Sequence, residues 1–106
     1  TAHAEVSAIR AACESVGDFS LTGSVIYSTC EPCPMCLSAI WWARIDAIYY
    51  ASTRDDAAKI GFDDALLYEE VSLAIHDRRL PLRRCAIKEA DELMKKWLNK
   101  KNKVPY

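Results

Sequence analysis

No apolar run in this 106-residue chain approaches the roughly 18 residues that a bilayer-spanning helix needs. Nor does a leader with a charged start and an apolar middle precede its first motif. The chain therefore reads as soluble and cytoplasmic, with no membrane partner. Neither sign of charge dominates: 14 Lys and Arg stand against 15 Asp and Glu, for a net charge of −1. That balance supplies no global positive field of the kind that draws a protein onto nucleic acid or an anionic membrane. Internal repeats and low-complexity linkers are missing as well. With 51% apolar residues disorder is excluded, and one compact domain over residues 1–106 is expected. The numbering opens on Thr1 and enters a dense motif at once, so this domain is read as N-terminally incomplete.

A disulfide framework is not expected either. Five cysteines make an odd count, and Cys30, Cys33 and Cys36 crowd into seven positions, which fits metal chemistry in a reducing compartment better than stapling. Cys13 and Cys85 lie in apolar periodic stretches and read as small core residues.

The remaining pattern alternates helix and strand. Val6, Ile9 and Cys13 recur at helical spacing with Gly17 as the stop, and Ser24–Thr29 is a short β-branched run between turn residues. Pro34 opens a second helix running to Arg44, and Asp46–Ala51 reads as a second strand. Arg54–Ile60 and Ala65–His76 are expected helices, the latter with Leu66, Leu67, Val71 and Leu73 or Ile75 inward, and Leu82–Ile87 is a weaker third strand. In Glu89–Asn102 the residues Ala90, Leu93, Met94, Trp97 and Leu98 form one apolar stripe, with acids in the first turn and lysines in the last. Charge is split between the ends, ten Lys/Arg against four Asp/Glu after His76 and four against eleven up to it. The basic end reads as a solvated helix face, with Asp91–Lys95 and Glu92–Lys96 as i,i+4 pairs, and not as a nucleic-acid arm.

Chemistry concentrates in His3-Ala4-Glu5 and Pro32-Cys33-Pro34-Met35-Cys36. A C-x-x-C opening a helix sets both sulfurs on the first turn, where unpaired N–H groups and the helix dipole favour thiolate, and His3 adds a nitrogen. Three protein ligands leave zinc's fourth position for water, which marks a catalytic and not a structural site. Two thiolates cancel much of the dication's charge, so the water needs a base, and Glu5, close to the metal without ligating it, can shuttle the proton. Cys30 can instead close the site as a fourth ligand, although Pro32 and the turn separate it from the helix that presents the other two. His76, the other imidazole, reads as an exposed helix residue.

These motifs resemble those of the cytidine-deaminase-like zinc superfamily. Trp42-Ala43-Arg44, Gly61-Phe62-Asp63-Asp64 and a terminal tyrosine are similar to bacterial guanine deaminases, and the similarity covers essentially the whole chain. The resemblance implies an α/β fold, a three-layer α/β/α sandwich on a mixed sheet, whose N-terminal helix and β-hairpin would precede Thr1. It implies zinc on His3, Cys33 and Cys36, Glu5 as proton shuttle, and a purine pocket to which Ala4 (through its backbone), Trp42, Asp64 and Tyr106 contribute. It also implies a homodimer in which residues 89–106, a C-terminal helix and tail, cross to a partner's site. The implied reaction is hydrolysis of guanine to xanthine and ammonia.

Each residue has a plainer reading beside it. Asp63 or Asp64 can cap the helix at Ala65, and of Trp41 and Trp42, about 100° apart on a helix, one is expected in the core and one at the site. Phe62 reads as core, and Tyr106 as a chain end that frays. The rival activities are a tRNA adenosine deaminase, against which the charge balance speaks, and a cytosine, guanosine or aminotriazine deaminase. Outside enzymology, a structural zinc interaction module would use Cys30 or His76 as a fourth ligand and dispense with Glu5.

Overall fold

Alternation in Val25–Cys30 puts Val25, Tyr27 and Thr29 in solvent and half-covers Ile26, Ser28 and Cys30, as a strand with one shielded face requires. This strand, β1, pairs in parallel with β2 (Ala47–Ser52), in the register Ile26 to Ile48, Tyr27 to Tyr49 and Cys30 to Ser52. On the open face the rings of Tyr27 and Tyr49 stack with centroids 5.2 Å apart. A parallel pair cannot be joined by a tight hairpin, and the connection here runs through a helix.

The computed structural model describes residues 1–105. Around the two strands lie α1 (Ala4–Val16), α2 (Pro34–Trp42), α3 (Arg54–Lys59), α4 (Ala65–Ser72), a 3₁₀ turn (Ile75–Asp77) and α5 (Lys88–Asn99). Helix α1 stops where Gly17 takes a left-handed φ of 69° and its N–H bonds back into the last turn. Helix α2 begins with Pro34 at its first turn and ends at Trp42, short of Arg44, which adopts a positive φ of 58°. The two helices pack on one another. The covered side of α2 presents Cys36 and Ile40, and with Ala43 at its C-cap, Leu21 and Pro32 these are buried.

The described residues divide into two compact units, one over Thr1–Leu73 and one from Ala74 onward. The first contains both strands and α1 to α4; the second contains the 3₁₀ turn and α5.

Several expectations are corrected. Residues 82–87 form no strand among the described residues, and Cys85 among them is exposed, not core. A strand exists only by pairing, and Leu82–Ile87 has no ladder partner. The described sheet is accordingly two parallel strands and not a mixed one. Helix α4 ends at Ser72 instead of reaching His76, and Leu66, Leu67, Val71, Leu73 and Ile75 are all exposed. Trp41 and Trp42 are both exposed, so neither is core, and Phe62 is 74% exposed. On α5, Glu92 meets Lys88 at 3.6 Å and not Lys96. Exposed pairs are worth only tenths of a kcal/mol each, about 0.3–0.5 for i,i+4 spacing, so small packing preferences decide which one forms.

Candidate active site and metal centre

Two helix N-termini meet at the site. His3 is the N-cap of α1 and Cys33 the N-cap of α2, and in each case the cap's backbone carbonyl accepts the first helical bond, from Ser7 at 3.0 Å and from Leu37 at 2.8 Å. Neither cap's side chain is spent on its own helix, so both are free to point at a common centre. Cys36 follows in the first turn of α2. Nδ1 of His3 lies 3.4 Å from Sγ of Cys36 and 3.6 Å from Sγ of Cys33, and the three donor atoms all fall within 4.8 Å of one another.

This donor set fits zinc. One imidazole nitrogen and two sulfurs are its preferred ligands, and three of them leave a coordination position open. Cys30 does not join the cluster: its Sγ turns instead toward the carbonyl of Thr53, at 3.9 Å. His76 lies in the second compact unit beside Asp77, at 3.5 Å, with most of its side chain in solvent. Burial, the neighbouring Cys33 and the carboxylate of Glu5 push the Cys36 thiol up to about 12. Such a group becomes a thiolate at neutral pH only when a positive ion offsets that environment.

Glu5 sits in the first turn of α1 and reaches the same centre. Its Oε2 accepts from Sγ of Cys36 at 3.5 Å, and its Oε1 accepts from Oγ of Ser28 at 2.8 Å. Partial burial pushes its carboxyl upward, but its backbone N–H, the Ser28 hydroxyl, Cys36 and nearby His3 outweigh that and hold it below its ordinary value. Glu5 is therefore an ionised acceptor at neutral pH.

The cluster opens into a cavity of about 710 Å³ within the first unit. Its walls carry the carboxylates Glu5, Glu31, Asp56, Asp63 and Asp64 against one guanidinium, Arg54. The wall from α3 is fixed by a capping box between Thr53 and Asp56, whose contacts run from 2.8 to 3.2 Å. Those bonds hold the exposed Asp56 carboxyl down to about 2, with Lys59 assisting at 3.1 Å. Glu31 ties the cysteine turn to the same helix, accepting from the Arg54 N–H at 3.0 Å. Arg54 in turn lies 4.6 Å from the ring centroid of Tyr68 on α4. Burial raises the Tyr68 hydroxyl pKa, reinforced by Asp64 and Glu31.

Asp63 and Asp64 separate into two roles. Oδ1 of Asp63 accepts from the N–H of Ala65 at 2.9 Å, whereas Asp64, although at the N-cap position, makes no side-chain cap bond. Asp64 thus lines the cavity with its carboxylate uncommitted to the helix. Ala4 stands between two cavity-lining residues, His3 and Glu5. Trp42 is not brought to this cavity: with Trp41, Arg44 and Ile45 it lines a separate hollow of about 360 Å³. Tyr106 lies outside the described residues. Sequence reasoning passed over Ser28, Glu31 and the Thr53–Asp56 box. A polar residue on the shielded parity of β1 was the signal for the first, and T-x-x-D ahead of a helix for the last.

Residues 1–52 match the family described as the cytidine and deoxycytidylate deaminase zinc-binding region. The chain is 44% identical to guanine deaminase from Bacillus subtilis over 106 residues, which is 100% of this chain and 68% of that protein. The X-ray structure of guanine deaminase from Bacillus subtilis superposes with a TM-score of 0.91, covering 99% of this chain and 67% of that one. A tRNA-specific adenosine deaminase from Agrobacterium fabrum is 52% identical over 52 residues, 49% of this chain and 34% of that protein.

Proposed function

This chain belongs to the cytidine and deoxycytidylate deaminase zinc-binding family, and we propose that it is a zinc-dependent aminohydrolase that converts guanine and water to xanthine and ammonia. The observation that carries the reading is the placement of Glu5 beside a His3, Cys33 and Cys36 cluster that opens into a cavity. Zinc on those three residues would supply Lewis acidity to an attacking water, in part offset by the two thiolates, so that Glu5 is needed as the base. Glu5 takes one proton from the attacking water and passes it to a ring nitrogen, then takes the second from the newly attached hydroxyl and delivers it to the amine as the C–N bond breaks and the C–O bond becomes the product carbonyl. A carboxylate that does not bind the metal suits the role because it must both accept and return the proton.

The cavity wall supports a donor-rich base. Guanine presents N–H groups along one edge, and the uncommitted carboxylate of Asp64 is an acceptor for that edge. The backbone of Ala4 belongs to the same proposed pocket, which in the proposed dimer receives Tyr106 from a partner's tail. The lining acids, set against Arg54 alone, disfavour a phosphate-bearing substrate, which weighs against a tRNA loop. No helix among the described residues is long and apolar enough to cross a membrane. A cytoplasmic homodimer in purine breakdown, its tail covering a partner's pocket, is part of the proposal. The exposed stripe Leu93, Met94, Trp97 and Leu98 on α5 supports it.

The test is ammonia release from guanine, guanosine, cytosine, adenine and an aminotriazine. Guanine should give the highest kcat/KM; preference for another member would overturn the substrate assignment while leaving the zinc chemistry intact.

A further inference from the structure

We propose that Ser28 is a positioning residue for Glu5, anchoring the proton-shuttling carboxylate to the sheet. The inference rests on the function proposed above for Glu5. Ser28 occupies the shielded parity of β1 between Ile26 and Cys30, where packing alone would select an apolar side chain. Its hydroxyl donates to Oε1 of Glu5 at 2.8 Å across 23 positions of sequence. The anchor is itself fixed, because Ser28 pairs with Tyr50 of β2.

Glu5 is otherwise a side chain with three rotatable bonds on the first turn of α1, half in solvent. Its other oxygen accepts from the Cys36 thiol at 3.5 Å, and that hydrogen is given up when Cys36 serves as a thiolate ligand. The Ser28 hydroxyl then remains as the side-chain donor that orients the carboxylate. Ser28 holds Oε1, which leaves Oε2, the oxygen on the cysteine side, to exchange protons. Positioning of this kind acts on turnover and not on substrate affinity, because Ser28 is not among the residues that line the cavity.

Ser28→Ala, made in the full chain loaded with zinc, should lower kcat about ten- to a hundredfold, the range for losing a hydrogen bond to a charged group. KM and zinc content should stay within about twofold of the parent, the reading that distinguishes positioning from lost binding. Ser28→Thr, which keeps the hydroxyl in a β-compatible side chain, should restore most of the loss. An unchanged kcat in Ser28→Ala, zinc loss in that variant, or an equal loss in Ser28→Thr would overturn the proposal.

A second readout needs no substrate. In a denaturant cycle with Glu5→Ala, Ser28→Ala should shift the unfolding midpoint in the parent and leave it nearly unmoved where Glu5 is already gone. Additive shifts would overturn the contact. Should the parent turn over no base at all, the proposed function falls, and this cycle still decides whether the serine holds the glutamate.

Discussion

Oε2 of Glu5 lies 3.5 Å from Sγ of Cys36, although 31 positions separate the two residues. Because α1 and α2 point their N-termini at one centre, a carboxylate two residues past His3 arrives next to the metal ligands without being one of them. Metal retention and turnover are therefore separable by mutation.

Cys33→Ser and Cys36→Ser should each lose zinc, while Cys30→Ser should keep it, because Cys30 faces the Thr53 carbonyl and lies outside the donor cluster. Metal content of purified protein, measured by atomic spectroscopy, checks this. Zinc missing from the Cys30 variant would mean that the site is closed by a fourth protein ligand.

Asp63→Ala and Asp64→Asn should diverge. Asp63 bonds the first-turn N–H of α4, so its loss should lower thermal stability, by up to about 1 kcal/mol, with kinetics near the parent's. Asp64 makes no such bond, so its replacement should cut kcat/KM for guanine about tenfold or more at nearly unchanged melting temperature. A fall in stability alone for the Asp64 variant would return that residue to a purely structural role.

How the two aspartates divide was not legible in the sequence, since both are favoured caps and one residue's shift in register swaps them. The zinc ligands and Glu5 were legible because short local spacings on helix starts place them, and local geometry follows from sequence directly. The long-range features were not. Residues 82–87 read as a weak third strand, but among the described residues no partner pairs with them. Trp42 sits on the helix that carries Cys36, yet six positions on it faces a different hollow. Ser28 looked like an ordinary strand residue until Glu5 was placed opposite it.

The capping box at the start of α3 predicts a pH signature. Hydrogen bonds from Thr53 hold the Asp56 carboxyl at about 2, below its ordinary 3.8. Its stabilising contribution is full above the ordinary value and is lost as pH falls from about 4 toward 2, where the folded form also takes up the proton. A carboxyl-carbon NMR titration should show this, and Thr53→Ala should move the midpoint up toward the ordinary value. An unmoved midpoint would place the cause elsewhere.

If the tail acts on a partner, mixing Glu5→Gln subunits with subunits lacking Tyr106 should recover activity relative to either parent. In such hybrids both lesions fall on one site and the other is intact. Hybrid dimers confirmed by mass without recovery would mean that the tail does not close a partner's pocket.

The most direct test is Glu5→Gln, assayed for ammonia release from guanine alongside zinc content and melting temperature. The amide keeps the shape and removes the proton acceptor, so zinc and fold should match the parent while kcat falls roughly 10²–10⁴-fold. Turnover retained within severalfold of the parent, with zinc fully bound, would contradict Glu5 as the proton shuttle.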